Sequence, residues 1–208
     1  MKFTKRKTEG GFTLVELAIV LVIIGIILAG IIKGQEMINN ARIKRAVAAQ
    51  KEIAAAMLTY QDRYQFLPGD DPNAVARWGA GTANGNGNGL IDGGAAGTDP
   101  APGTMFTCAA ATATETCLTW DHLRRAQIIS GTGRLNPANP YGGTIGVANI
   151  AVSGLTINWI GMSRIPENVC QPIDIQNDDG DATTGTIRNL AAFTSPVTDT
   201  SRSQFFRF

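Results

Sequence analysis

The chain opens with a short basic segment followed by an uninterrupted apolar run, and this contrast predicts its first element. The run from Phe12 to Ile32 contains a single charged residue, Glu16. It is long enough to cross a bilayer as a helix. A carboxylate in hydrocarbon costs about 3 kcal/mol or more, so the pattern predicts that Glu16 has a function in this segment.

The helical pattern continues past the apolar run as an amphipathic helix. Apolar residues recur at three- and four-residue steps, apart from one longer step, and charged residues lie between them. Leu67-Pro68-Gly69 ends the pattern, because proline cannot continue a helix. We expect one helix of about 50 residues, roughly 75–80 Å long. Its apolar positions beyond the run are Ile43, Val47, Ile53, Met57, Tyr60 and Tyr64.

The remainder of the chain predicts a small antiparallel sheet, and hence an α+β fold. Residues 69–107 are rich in Gly, Ala, Asn, Asp and Thr, which predicts a long loop with little regular structure. Thr119 to Ile129 is expected to form a short helix with Thr119 or Asp121 as its cap. Two β-rich segments flank Ser153-Gly154, which suits a tight hairpin turn. The predicted strands are Thr144 to Val152, Leu155 to Met162 and a further strand at Ile187 to Phe193.

The order of features at the N-terminus differs from that of an ordinary secretory signal. In such a signal the small-residue cleavage site follows the apolar stretch, which is then discarded. Here Gly10-Gly11 precedes the apolar run and follows the basic residues Lys2, Lys5, Arg6 and Lys7. Cleavage at this point would remove the basic head and keep the helix.

The basic leader, Gly11, Phe12, Glu16 and the aliphatic run, in this register, closely resemble the type IV pilin family, which includes the pseudopilins of type II secretion. The resemblance covers residues 1–66. It implies cleavage after Gly11 by a prepilin peptidase/methyltransferase, N-methylation of Phe12 and polymerisation with other pilin or pseudopilin subunits at an inner-membrane assembly platform. It also implies a long helix followed by a globular domain with an antiparallel sheet. Many pilins carry a helix-breaking proline near the position of Lys33, and its absence favours a minor pilin or a pseudopilin.

Physical chemistry supports an assembly role for Glu16 independently of the resemblance. A free amine on Phe12 and the Glu16 carboxylate would both be stranded in lipid in an isolated subunit. In a bundle of subunits, Glu16 of one chain can pair with the terminal amine of its neighbour. The carboxylate therefore favours the assembled state over the dispersed one.

These features predict four segments: a cleaved leader (1–11), a membrane-spanning and assembly half of the helix (12–34), an amphipathic half (35–67) and a globular domain (68–208). The basic leader should face the cytoplasm. We therefore expect a single-pass protein of the bacterial inner membrane whose domain lies outside the cytoplasm, and later a periplasmic or cell-surface filament.

Three cysteines fit that oxidising compartment. A disulfide between Cys108 and Cys117, closing a short loop, is the preferred prediction. From the sequence alone, Cys170 could instead pair with either of them. With three cysteines, one must stay as a free thiol or form a disulfide with another chain.

The charge balance and the histidine count argue against nucleic-acid binding and against an enzyme. Removal of the leader takes away four of the 18 basic and one of the 17 acidic residues, which leaves a formal charge of −2. No nucleic-acid groove is expected from that balance. The chain has one histidine, His122, and no Gly-x-Ser-x-Gly motif, so hydrolase chemistry is not expected. His122 is predicted to lie at the surface or to cap a helix.

Two loops are candidates for calcium, and otherwise no cofactor is expected. Oxygen donors at alternate positions, with a glycine at the sixth, follow the spacing of an EF-hand loop at Asn84, Asn86, Asn88 and Asp92, although the bidentate glutamate is missing. An Asn-Gly turn without metal is the alternative there. The second loop carries Asp178, Asp179 and Asp181, whose carboxylates repel one another unless they are solvated or bridged by a cation. An acidic turn is its alternative.

The sequence thus favours a structural subunit that is processed and polymerises through its N-terminal helix, as a minor pilin. A type II secretion pseudopilin is the alternative within the same class. A calcium-dependent adhesin or binding module displayed on a filament is the alternative from another class.

Overall fold

The structure is a computed structural model that describes residues 11–93, 103–193 and 201–208. It divides into two compact units, one up to Ala41 and the other from Arg42 onward. The first helix, α1, spans Leu14–Tyr64, as a single helix of 51 residues. It ends where Gln65 adopts a positive φ of 64°, shortly before Pro68. The predicted long N-terminal helix is therefore confirmed.

The N-terminal part of α1 is long and apolar enough to cross a membrane, judged by length and composition. Its side chains from Leu14 to Ile32 are all exposed in the isolated chain. In the second unit, by contrast, the six apolar positions predicted for the amphipathic part are buried or half-buried. Met57 and Tyr60 are completely buried in the main core. The change from all-round apolarity to a single apolar face is what separates the two parts of the helix.

The second unit contains one four-stranded antiparallel sheet, which confirms the α+β fold. The strands are β1 (Ile145–Val152), β2 (Leu155–Pro166), β3 (Ile187–Asn189) and β4 (Ser201–Arg207), in the spatial order β1-β2-β4-β3. β1 and β2 form the predicted hairpin, with Val152 opposite Leu155. Ser153 and Gly154 both have positive φ, at 45° and 80°, which is the backbone of a tight primed turn.

Both faces of the sheet are covered. On one face Val147, Ile160 and Phe206 lie side by side across three strands and belong to the same core cluster as the amphipathic part of α1. On the opposite face Ala148, Trp159 and Phe205 form a second cluster. That second cluster is completed by Met105, from a 3-10 helix at Thr104–Phe106.

Several boundaries differ from the predictions. The short helix predicted at Thr119 to Ile129 is α3, Glu115–Arg125. It begins earlier because the carbonyl of Thr114 accepts the N–H groups of Cys117 and Leu118. Asp121 does not cap the helix, since its carboxylate instead accepts from the Thr82 hydroxyl at 2.6 Å and pairs with Arg125.

The predicted loop at 69–107 has more structure than expected. It contains a short helix, α2 (Ala74–Trp78), and the 3-10 helix already described. These two segments, of five and three residues, are the regular structure that the prediction did not place, while residues 94–102 lie outside the described part. Buried polar contacts to α3 hold this loop in place, and composition does not reveal such contacts.

Two further elements were not predicted, and one strand is shorter than expected. Helix α4 (Glu167–Asn177) contains Pro172, which argues against a helix when the sequence is read alone. Strand β4 pairs with both β2 and β3, and β3 ends at Asn189 rather than at Phe193. β4 has an irregular order of polar and apolar residues, so its strand character depends on its partners in the sheet.

Candidate functional site

The predicted processing position lies in an exposed segment before α1. Phe12 is 82% exposed, and a Cβ added at Gly11 would have no atom within 4 Å. The leader residues 1–10 lie outside the described part of the chain. Among the residues that the structure describes, Gly11 and Phe12 therefore have no packing contact that would bury them in the isolated subunit.

Glu16 has a local partner in Thr13, and the Thr13-x-x-Glu16 spacing before an apolar run is the sequence signal for it. Its Oε2 atom accepts the backbone N–H of Thr13 at 2.9 Å and the Thr13 hydroxyl at 2.8 Å. The Thr13 Oγ1 atom in turn accepts the N–H of Glu16 at 3.2 Å. This reciprocal pair is a capping box at the start of α1. All of these bonds to the carboxylate use Oε2, so Oε1 has no hydrogen-bond partner within the described chain.

Cys108 and Cys117 form a disulfide in the second unit. It joins the segment after the 3-10 helix to the first turn of α3. Cys170 is a buried free thiol, and burial raises its pKa to about 12. The disulfide restrains the segment at the N-terminal end of α3.

The Asn-rich loop folds around a carboxylate that the sequence analysis did not select, Asp70. Asp70 is buried and accepts the backbone N–H groups of Gly87, Asn88 and Gly89, at 2.6 to 3.0 Å. The amide oxygens of Asn84, Asn86 and Asn88 accept the backbone N–H groups of Val75, Asn88 and Leu90 respectively, and the Asn88 N–H is shared with Asp70. Asn88 also donates to Asp92 at 3.2 Å. The four predicted ligands thus belong to one loop, and the Asn oxygens bond backbone N–H groups there.

Helix α3 fastens this loop through buried polar side chains. The Glu115 carboxylate accepts the N–H groups of Asn86 and Asp92, at 2.8 and 3.1 Å. His122 is completely buried, so its predicted surface or capping position is wrong. Its Nδ1 atom accepts the N–H of Gly69 at 2.9 Å, and its Nε2 atom lies 3.0 Å from the carbonyl of Ala83. His122 therefore connects the two ends of the segment 69–83 and is consistent with a neutral ring.

Burial shifts the pKa values of these groups in opposite directions. Desolvation raises the pKa of Glu115 to about 7, and the neighbouring Asp92 contributes to the rise. Desolvation also raises the pKa of Asp70, with Asp92 again contributing. Desolvation lowers the pKa of His122. The carboxyl groups thus hold protons more strongly in the folded state, whereas the histidine holds them less strongly.

These shifts predict a pH-dependent stability that a single variant can isolate. Because the folded-state pKa of Glu115 is raised, its contribution to stability is complete below its ordinary value of 4.5 and is lost as the pH rises toward about 7. Glu115→Gln should remove this decline, which is on the order of 3 kcal/mol. The measurement is thermal unfolding of the full chain in detergent micelles between about pH 4.5 and 8.

The slope with pH is the relevant quantity here, since glutamine offers one acceptor oxygen where Glu115 offers two. Glu52→Gln, an exposed glutamate of α1, is the matched control and should keep the wild-type slope. Asp70 contributes to the slope in the same direction as Glu115, and His122 contributes in the opposite direction below about pH 6.5. An unchanged slope in Glu115→Gln would contradict the assignment.

The second acidic loop is the turn between α4 and β3. Asp178 Oδ2 accepts the N–H of Ile187 at 2.7 Å, which fixes the start of β3. Asp179 accepts from the Thr184 hydroxyl at 2.6 Å, and Asp181 accepts from Thr183. The structure adds Asp174, from the last turn of α4, to this group. Three carboxylate oxygens, one from each of Asp174, Asp178 and Asp179, lie within 4.8 Å of one another.

Asp174 was not selected in the sequence analysis, and its surroundings are unusual. It is completely buried, and its Oδ1 atom accepts the N–H of Gly180 at 2.9 Å. Its Oδ2 atom has no hydrogen-bond partner among the described residues. Burial raises its pKa to about 6, with Asp178, Asp179 and Asp181 contributing. Asp174 lies four residues before Asp178, but the sequence alone did not predict α4, so no local signal indicated that Asp174 would be buried beside this turn.

Comparison with known proteins identifies the N-terminal segment. Residues 6–32 match the family described as the prokaryotic N-terminal methylation motif. Searches of curated proteins and of solved structures found no significant match. The motif implies processing by a prepilin peptidase and assembly with other pilins, and together with the apolar helix it fits a membrane-anchored structural subunit. Residues 6–32 thus identify the chain as a protein with the signature of type IV pilins and pseudopilins.

Proposed function

We propose that this chain is a minor type IV pilin: a prepilin cleaved after Gly11, methylated on Phe12 and polymerised through α1 into a filament. The observation that carries the proposal is the exposure of the apolar side chains of α1 in the isolated chain. Its side chains from Leu14 to Ile32 are exposed all round, and Glu16 is the only charge among them. Such a surface requires lipid or other helices, because exposed apolar area of this extent is unfavourable in water.

Glu16 determines which of these two surroundings is preferred. Its Oε2 atom is occupied by Thr13, whereas Oε1 has no partner within the described chain. In lipid the carboxylate would remain uncompensated. Beside the terminal amine of a neighbouring Phe12 it would form an ion pair, so the helix is stabilised in a bundle of like helices.

The same pattern supports the location and the partners of the subunit. The basic leader keeps the N-terminus on the cytoplasmic side of the inner membrane, and the unit from Arg42 onward then lies outside the cytoplasm. The disulfide between Cys108 and Cys117 suits that compartment. The partners are the prepilin peptidase/methyltransferase, other pilin subunits and the inner-membrane assembly platform.

A pseudopilin of type II secretion is the alternative within the same class. Lys33 stands where many pilins carry a proline, and the structure keeps Lys33 within an unbroken helix, paired with Glu36 at 2.7 Å. An unbroken helix supports a minor pilin or a pseudopilin over a major pilin. The genes beside the coding sequence separate the two alternatives, since a secretion cluster would favour the pseudopilin.

The direct test of the proposal is the N-terminus of the mature protein. Intact mass and N-terminal sequencing of the membrane-extracted chain should show Phe12 as the first residue, carrying one methyl group. A mature chain that still begins at Met1 would contradict the proposal.

A second candidate function is a calcium-dependent adhesin or binding module displayed on such a filament. The observation that favours it is the group of carboxylates at the turn between α4 and β3. One buried oxygen of this group has no hydrogen-bond partner in the part of the chain that the structure describes. Calcium binding at this turn is the first requirement of that function.

A further inference from the structure

We propose that the turn between α4 and β3 binds a calcium ion through the carboxylates of Asp174, Asp178 and Asp179. The proposal deepens the second candidate function by naming the ligands. It does not depend on filament assembly, because it rests only on residues of the second unit.

The geometry of the oxygens suits one shared ion. Oxygens from the three carboxylates all lie within 4.8 Å of one another. Calcium binds oxygen at about 2.4 Å, so two ligands on opposite sides of one ion are separated by about 4.8 Å. The spacing of the oxygens therefore suits contact of all three carboxylates with a single ion.

The Oδ2 atom of Asp174 is the second, independent observation. A buried carboxylate oxygen without a hydrogen bond costs free energy unless a cation or a donor compensates it. Asp174 is completely buried, and within the described part of the chain no donor reaches this oxygen. Its carboxylate belongs to the same group as those of Asp178 and Asp179. An ion between the three carboxylates would supply the missing partner.

Within the described residues, no arginine or lysine side chain forms an ion pair with the carboxylates of this turn. Arg188 acts electrostatically on Asp179, but its guanidinium donates to the carbonyls of Gly185 and Ser153. None of the four carboxylates of this turn takes part in an ion pair within the described residues. The turn also follows the C-terminal end of α4, where the helix dipole favours a positive charge.

The chemistry of the ligands favours calcium over other common metals. All three are carboxylates, whereas structural zinc sites use cysteine and histidine. Magnesium requires near-ideal octahedral geometry and keeps several waters, while calcium accepts the irregular arrangements that loops provide. A partly exposed site with few protein ligands should bind calcium with a dissociation constant of about 10⁻⁴–10⁻³ M.

The test is calcium binding by the full chain in detergent micelles. After treatment with chelator, equilibrium dialysis with calcium chloride up to about 10 mM should show one ion per chain. Asp179→Asn changes an exposed side chain and removes its charge, while the amide keeps an oxygen that can accept from Thr184. It should weaken binding at least about tenfold. Asp62→Asn, an exposed carboxylate of α1 outside the turn, is the matched control and should bind as the wild type does.

Asp174→Asn should lower calcium binding but raise the stability of the calcium-free chain. It should abolish calcium binding, yet in chelator it should raise the melting temperature by about 2–4 °C, because a neutral amide replaces a buried carboxylate beside three others. Absence of calcium binding by the wild type, or wild-type binding by Asp179→Asn, would overturn the proposal. Loss of binding in Asp92→Asn but not in Asp179→Asn would also overturn it, by moving the ion to the Asn-rich loop.

These outcomes remain separate from those of the proposed filament function. Removal of the leader depends on residues around Gly11, so Asp179→Asn should be processed normally. A chain that binds calcium but keeps its leader would contradict the filament proposal alone. A processed chain that does not bind calcium would contradict the cation site alone.

Discussion

Replacement of Gly11 by valine is expected to leave nearly all of the protein with its leader attached. Gly11 is the last small residue before the apolar run, and it lies within residues 6–32, which match the N-terminal methylation motif. The proposed cleavage follows this residue. The effect should arise at the peptidase and not in the fold. A Cβ at Gly11 meets no atom within 4 Å, so the chain itself has room for the larger side chain.

The measurement is the intact mass of the chain extracted from membranes, together with its N-terminal sequence. Gly25→Val is the matched control, because Gly25 also lies in a segment with nothing within 4 Å of its added Cβ. The control should lose residues 1–11 as the wild type does. Normal leader removal in Gly11→Val would show that this glycine is not the processing position.

Replacement of Glu16 by glutamine is expected to leave the protein in the membrane and to exclude it from filaments. Glutamine preserves the size of the side chain and can still accept the N–H of Thr13, but it cannot form an ion pair with a neighbouring amine. Removal of one partner from a buried ion pair typically costs about 3–5 kcal/mol. The equilibrium for incorporation should therefore fall by about 100-fold or more.

The capping box makes a control for this experiment necessary, because Glu16 also stabilises the start of α1. Thr13→Ala removes the hydroxyl that bonds to Glu16 while keeping the carboxylate and its charge. Thr13→Ala should therefore still enter sheared filaments, whereas Glu16→Gln should remain in the membrane fraction. Equal incorporation of Glu16→Gln and wild type would show that charge pairing does not direct assembly. Equal loss in both variants would assign the effect to the cap.

The Asn-rich loop shows that composition can predict a loop but not the buried contacts that hold it in place. Its glycines and asparagines predict a loop with little regular structure. The loop also surrounds Asp70 and forms hydrogen bonds with Glu115 and His122. These three groups are polar, and polar residues are usually exposed. Their burial depends on partners more than 15 residues away in sequence, and no local pattern reports such partners.

Helix α4 and strand β4 are likewise elements that local sequence patterns did not predict. Pro172 removes a backbone donor, and no periodic pattern outweighs that signal in the sequence. Strand β4 is inserted between β2 and β3 by pairing with residues far away in the chain. The β1–β2 hairpin, in contrast, was predicted, because its turn and its strands are adjacent in sequence.

The sequence by itself determined the N-terminal third of this protein: the basic leader, Gly11 before Phe12, the lone carboxylate of Glu16 and the long helix. Each of these depends on residues that are contiguous or one helical turn apart, so local physical chemistry is sufficient. Only the tertiary structure decided the burial of His122, the order of the strands and the burial of Asp174. Those features arise when distant segments exclude water together, and the free energy of that burial belongs to the contacts and not to any single segment.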